Sequence, residues 1–133
     1  MVFKKYVLLL MIIGLCFGCK KEETKATVST IEMISAEEMA NLEDMESVQL
    51  VDVRTVEEFV SGHIKGAQNI VYLSDTWSTE IEKLDKEDPV YVYCAKGGRS
   101  AKCAQLLADA GFKKVYDLEG GVTQWKEAGK PVQ

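Results

Sequence analysis

Cys94 stands where a thiol is readily turned into a thiolate. The run Val90-Tyr91-Val92-Tyr93 before it is apolar, β-branched and aromatic, and reads as a buried strand. Ala95-Lys96-Gly97-Gly98 follows it. Arg99-Ser100 then opens a helical pattern that carries Cys103, Leu106, Leu107 and Ala110 on one face. The first N–H groups of a helix have no intrahelical partner, and the helix dipole is positive there. A sulfur at that end is therefore favoured as an anion. Gly97 and Gly98 permit positive φ, which lets the amides from Ala95 to Ser100 turn inward as an anion-binding nest. A thiolate in such a nest is a nucleophile whose charged product is also stabilised. Lys96 is placed to draw in an anion, or to sit as a solvated surface charge. Arg99 is placed to brace the loop through carbonyls or a carboxylate such as Glu58.

The elements around this loop alternate between strand and helix. Thr30–Ile34 reads as an edge strand. Ser35 and Glu38 form a capping box, with Met39, Leu42 and Met45 as the buried face of the helix that follows. Gln49–Val53 is a central strand. Thr55 and Glu58 form a second capping box, Val56, Phe59 and Val60 share a face, and Gly62 ends that helix. Ala67–Leu73 is a third strand with its exit, and Trp77, Ile81 and Leu84 mark a helix. After the Cys94 loop and its helix come a strand over Val115–Leu118, a Gly120-Gly121 turn and a last helix with Val122 and Trp125. This order predicts an α/β fold with a mainly parallel sheet and helices on both faces. Sites in such sheets lie at the carboxyl ends of the strands, where Asp52, Cys94 and Glu119 fall.

Composition narrows the function. The chain has 133 residues and a net charge of −5, which suits one domain and argues against nucleic acid as a partner. A single histidine, His63, excludes a multi-histidine metal site. Of the four cysteines, Cys16 and Cys19 make the one C-x-x-C pair, and it lies in the leader, so a zinc or thioredoxin-type motif is not supported. Lys4-Lys5, the apolar run from Tyr6 to Phe17 and the small Gly18 have the pattern of a signal peptide over residues 1–18. Cys19 after Gly18 resembles the lipid-acceptor cysteine of bacterial lipoproteins, although Cys16 stands where that family prefers leucine. Residues 19–29 are then a polar tether, and the folded domain spans 30–131. The expected location is the cell envelope, on a membrane reached through a lipid on Cys19.

Four separated segments are similar to the single-domain rhodanese family: Leu50-Val51-Asp52-Val53-Arg54; Glu57-Glu58-Phe59 on to Gly62-His63-Ile64-Lys65-Gly66-Ala67; Tyr93-Cys94 to Ser100; and Leu118-Glu119-Gly120-Gly121 to Trp125. They occur in the family's order. The resemblance implies a five-stranded parallel sheet between helices, and a sulfurtransferase whose Cys94 takes up a sulfane sulfur as a persulfide. Residues Ala95, Lys96, Gly97, Gly98, Arg99 and Ser100 would bind the anion. It implies a small sulfur anion, thiosulfate or polysulfide, as donor, a thiol or cyanide as acceptor, and no metal or organic cofactor. Asp52 and Arg54 would support the catalytic loop from below, with Glu58 and His63 beside them. An ordinary strand-end ion pair explains Asp52 and Arg54 as well. His63 reads as a packing residue, because a preformed thiolate needs no base. Cys103 reads as core, with a resolving cysteine as the alternative, and Trp125 reads as core.

Two other functions use the same loop. Cysteine-dependent phosphatases also place a cysteine before a helix and close the loop with an arginine. They have five residues between the two where this chain has four, and usually histidine where it has Tyr93. The smaller ring suits one sulfur atom better than a tetrahedral phosphate. Some rhodanese-like domains only bind partners, having lost the cysteine that is present here.

Overall fold

A computed structural model of the chain describes residues 28–133. The leader, Cys19 and the tether as far as residue 27 lie outside the described residues. The elements are β1 (Thr30–Ile34), α1 (Ala36–Ala40), β2 (Gln49–Asp52), α2 (Val56–Val60), β3 (Gln68–Asn69), α3 (Trp77–Ile81), β4 (Val90–Tyr93), α4 (Gly98–Asp109), β5 (Lys114–Leu118) and α5 (Gly121–Glu127). The five strands form one sheet in the order β1-β5-β4-β2-β3, and every pairing is parallel. The α/β fold with a five-stranded sheet is thus the one expected. Just before β1 the Ser29 hydroxyl donates to the Ala108 carbonyl, and His63 and Gln133 exchange backbone hydrogen bonds.

Strand β4 explains how the sheet is covered. Its residues are all buried and alternate between two cores. Val90, Val92 and Cys94 point into a cluster with Trp77, Ile81, Cys103, Ala104, Leu107 and Phe112, which α3 and α4 cover. Tyr91 and Tyr93 point into a second cluster with Met39, Leu118, Val122 and Trp125, which α1 and α5 cover. Each fully buried Leu, Val or Phe side chain stabilises the fold by about 1.5–3 kcal/mol. The cores therefore fix the end of β4, and with it the position of Cys94.

The helices are shorter than the apolar spacing predicts. Helix α1 stops at Asn41, and Asp44 turns away at φ 53°, so Leu42 and Met45 pack on the core from the turns beyond the helix. Leu84 likewise packs from beyond the end of α3. Strand β3 is only Gln68–Asn69. In α2 the expected buried face is absent: Val56 and Val60 are 55% and 74% exposed. That helix is held by its capping box and by Glu58 rather than by burial. Leu106 of α4 is also exposed, at the edge of a stripe formed by Cys103, Ala104 and Leu107.

Candidate active site

Cys94 follows β4 directly, and the chain curls before α4 begins at Gly98. The curl depends on Gly97, which caps α4 at φ 112°, a conformation that disfavours any Cβ. Gly98 is different from what the glycine pair suggests: its φ is not positive, and a Cβ there meets nothing within 4 Å. One glycine makes the turn.

The turn aims donors at the sulfur. The Gly97 N–H donates to Cys94 Sγ at 3.1 Å, and Ser100 Oγ lies 3.5 Å from it. Cys94 is 1% exposed. Burial pushes its thiol up, but the Ser100 hydroxyl and the backbone amides of Ser100, Gly97 and Lys96 outweigh that and hold it below the ordinary cysteine value. The outer side of the loop is held by α5. Val122 N–H donates to the Cys94 carbonyl at 2.9 Å and Thr123 N–H to the Ala95 carbonyl at 3.0 Å. With these carbonyls tied outward, the amides are left facing inward. Gly121, at φ 60°, makes the approach possible, because a Cβ would sit 2.5 Å from the Cys94 carbonyl oxygen. In sequence Gly120-Gly121 reads only as a turn before the last helix. The clamp itself depends on the N-terminus of α5 meeting the loop.

Arg99 braces the loop through Glu58, with both guanidinium ends on the carboxylate at 2.7 and 2.9 Å. Glu58 also accepts from the Thr55 backbone in its capping box. The Arg99 hydrogen bonds, against an upward push from burial, hold the Glu58 carboxyl down at about 2. Lys96 is exposed on the rim.

Asp52 and Arg54 form a fully buried pair, with Arg54 Nη2 2.6 Å from Asp52 Oδ2 and donating also to the Gly62 carbonyl at 2.7 Å. The Arg54 guanidinium lies 5.7 Å from the centre of the Tyr93 ring, and the Tyr93 hydroxyl accepts from the Ile64 N–H at 3.0 Å. Tyr93 points to the opposite face of the sheet from Cys94. The pair thus fixes the segment from Gly62 to Ile64, and its hydrogen bonds do not reach the Cys94 loop. His63 is set apart as well. Its ring stacks on Phe59 at 3.8 Å, and Nδ1–H donates to the Phe59 carbonyl at 2.9 Å. Cys103 is fully buried. Burial first, then the negative charges of Cys94 and Asp117, push its thiol up to about 12. Trp125 is core, with Nε1–H donating to the Pro131 carbonyl. Asp117, unremarked in the sequence, is a buried acid on β5, paired with Val92 of β4, and its Oδ1 has no hydrogen-bond partner. Among the described residues no group of three or more His, Cys, Asp or Glu side chains could hold a metal, and no helix is long and apolar enough to cross a membrane.

Comparison with known proteins agrees with this arrangement. Residues 35–128 match the rhodanese-like domain family. The thiosulfate sulfurtransferase GlpE of Shewanella oneidensis is 35% identical over 101 residues, covering 76% of this chain and 98% of its own. GlpE of Tolumonas auensis is 33% identical, covering 74% and 92%. Among solved structures, a rhodanese-related protein from Thermoplasma volcanium superposes with a TM-score of 0.67 at 29% identity, over 77% of this chain and 97% of that one. A rhodanese-like domain protein from Staphylococcus aureus gives 0.63 at 36% identity, over 71% and 90%.

Proposed function

The chain belongs to the rhodanese-like domain family, and from that premise we propose that it is a sulfurtransferase working through a persulfide on Cys94. The observation that carries this reading is the Cys94 sulfur, buried yet held below the ordinary thiol pKa by the Gly97 amide and Ser100. The Cys94 thiolate attacks the outer sulfur of thiosulfate or a polysulfide. A new S–S bond forms and the donor's S–S bond breaks. Sulfite, or a polysulfide shorter by one sulfur, leaves with the electron pair. The outer sulfur of Cys94–S–S⁻ then takes the inward amides of the loop, which act as an oxyanion hole does for oxygen. Cyanide or a thiolate attacks that sulfur next, and Cys94 leaves as the thiolate that began the cycle.

The burial of Cys94 supports a narrow donor. A sulfur atom at the end of a small anion fits into the ring of amides, and Lys96 on the rim favours negative charge. The four residues between Cys94 and Arg99 favour sulfur over a phosphate ester, and Arg99 is already occupied by Glu58. In the cell the domain would work at the envelope, tethered through a lipid on Cys19. Incorporation of labelled palmitate that persists in Cys19→Ala would refute the tether.

The test is an intact mass after incubation with thiosulfate, with and without reductant. A gain of one sulfur, about 32 Da, that reductant removes and Cys94→Ser lacks is the expected result. No adduct with thiosulfate or polysulfide, while Cys94 remains alkylatable, would refute the reading and leave a module that binds partners without catalysis.

A further inference from the structure

The outer edge of β1 is bare. The sheet runs β1-β5-β4-β2-β3, so among the described residues no strand pairs with β1 on its far side. Alternate residues of β1 bond to β5. The Thr30 N–H donates to the Lys113 carbonyl, and the Ile34 carbonyl accepts from the Glu119 N–H. Thr30, Glu32 and Ile34 therefore bond toward β5, and the N–H and C=O groups of Ile31 and Met33 point out of the sheet. The side chains of Ile31 and Met33 are exposed as well, 42% and 59%, on the face of the sheet that carries Val115. The opposite edge of the sheet is blunted, since β3 is two residues long. Strand β1 has five residues with no proline or lysine, and it pairs with β5 in unbroken register. An edge of that kind is a template for another strand.

The pattern of β1 selects the strand that fits it. A second β1 laid antiparallel about a two-fold axis at Glu32 sets Ile31 opposite Met33 of the second copy, and Met33 opposite Ile31 of the second copy. Each of these two pairs exchanges both of its hydrogen bonds, so every outward N–H and C=O of Ile31 and Met33 is met on both strands. The apolar side chains come together on one face. On the other face the two Glu32 carboxylates come together, each with its Lys114 ammonium 3.7 Å away, so the row of charges is balanced.

We infer that the exposed edge of β1 is a self-association surface, on which a second copy of this chain adds its own β1 antiparallel and joins the two sheets into one. The inference does not depend on the chemistry at Cys94.

The experiment is disulfide capture in the full chain. Glu32→Cys and, separately, Thr30→Cys are treated with diamide at micromolar concentration, and the cross-linked peptides are identified by mass. Both positions are exposed. In this pairing the two Glu32 positions face each other with Cα atoms about 4.5 Å apart, within the reach of a disulfide, whereas the two Thr30 positions lie about 14 Å apart. The expected result is a disulfide between two copies of Glu32→Cys, in a yield about tenfold or more above that of Thr30→Cys. Adding Met33→Pro to Glu32→Cys removes an outward donor and no bond to β5, and is expected to lower the yield about tenfold. No link in Glu32→Cys, equal yields at the two positions, or a yield unmoved by Met33→Pro would overturn the inference. So would a Glu32→Cys sulfur joined to Cys16 or Cys19 of its own chain, since the leader would then occupy the edge.

Discussion

Replacing Gly121 by alanine tests whether α5 holds the Cys94 loop in place. The added Cβ would lie 2.5 Å from the Cys94 carbonyl oxygen and 2.6 Å from that of Ala95, and both are backbone atoms with no free rotation. The residue must also stay near φ 60°, which costs a non-glycine residue about 1–2 kcal/mol. Relieving the overlap moves the loop off α5 and weakens the bonds from Val122 and Thr123, at about 1 kcal/mol each. The sum is about 3–4 kcal/mol, short of the 5–15 kcal/mol typical of a whole domain, so the variant folds. Its activity should fall further than its stability suggests, because a shift of about 1 Å in a reacting group costs about 100-fold. Urea unfolding measures the first effect, and persulfide formation from thiosulfate the second. Gly98→Ala is the control for stability. With a helical φ and open space around it, it should be neutral or stabilising by up to about 1 kcal/mol. If Gly121→Ala unfolds within about 1 kcal/mol of the wild type and keeps its rate within about threefold, the clamp is not what holds the loop.

Three further outcomes follow from the same geometry. Glu58, held at about 2 by Arg99, has a folded pKa below its unfolded value near 4.3, so its ionised form stabilises the fold above about pH 4.5 and that contribution is lost as pH falls toward 2. The pair is about one-third exposed, so the effect is below about 1 kcal/mol, and Glu58→Gln should flatten this part of a stability–pH curve measured by urea midpoints. Arg54→Ala leaves the Asp52 carboxylate buried and unpaired, and should destabilise by about 3–5 kcal/mol in the same assay; a loss below 1 kcal/mol would show that the pair is not sealed from water. Cys103→Ala should keep persulfide formation on Cys94 while costing about 1 kcal/mol for the lost sulfur, and loss of the persulfide would reinstate Cys103 as a resolving thiol.

Local signals in the chain were enough for the site's frame. The two capping boxes are complete in residues 35–38 and 55–58, and the apolar run over Val90–Tyr93 is long enough for a covered strand and too short for a helix. What was not legible depends on the path of the chain. Gly97 and Gly98 look alike in sequence, and only the curl out of β4 determines which one takes positive φ. Val56, Phe59 and Val60 share a face, but a five-residue helix at the end of the sheet has no layer to bury it against, so the spacing misled. Asp117 reads in sequence as one polar residue in a mixed strand, yet it shares a face with Val115, on the side that α4 covers, and the acid is enclosed. Asp52 and Arg54 adjoin the loop in the sheet, but strand alternation sends Tyr93 and Cys94 to opposite faces, and the ion pair follows Tyr93.

The two described cysteines show that the loop, rather than burial, lowers the Cys94 thiol. Cys94 and Cys103 lie in one apolar cluster, 1% and 0% exposed. Burial alone moves a thiol upward, and Cys103 goes to about 12 with the charges of Cys94 and Asp117 adding to the push. Burial pushes Cys94 upward too, and it still ends below the ordinary value. The difference lies in the groups within reach of each sulfur. Cys103 sits inside α4, where the backbone amides are spent on the helix, whereas Cys94 precedes α4, where the amides of Lys96, Gly97 and Ser100 are free to donate. In the proposed reaction the same amides serve the terminal sulfur of the persulfide, which carries its charge one atom further out. On that proposal the burial of Cys94 brings selectivity, since a donor must present one exposed sulfur to donors that are already in place.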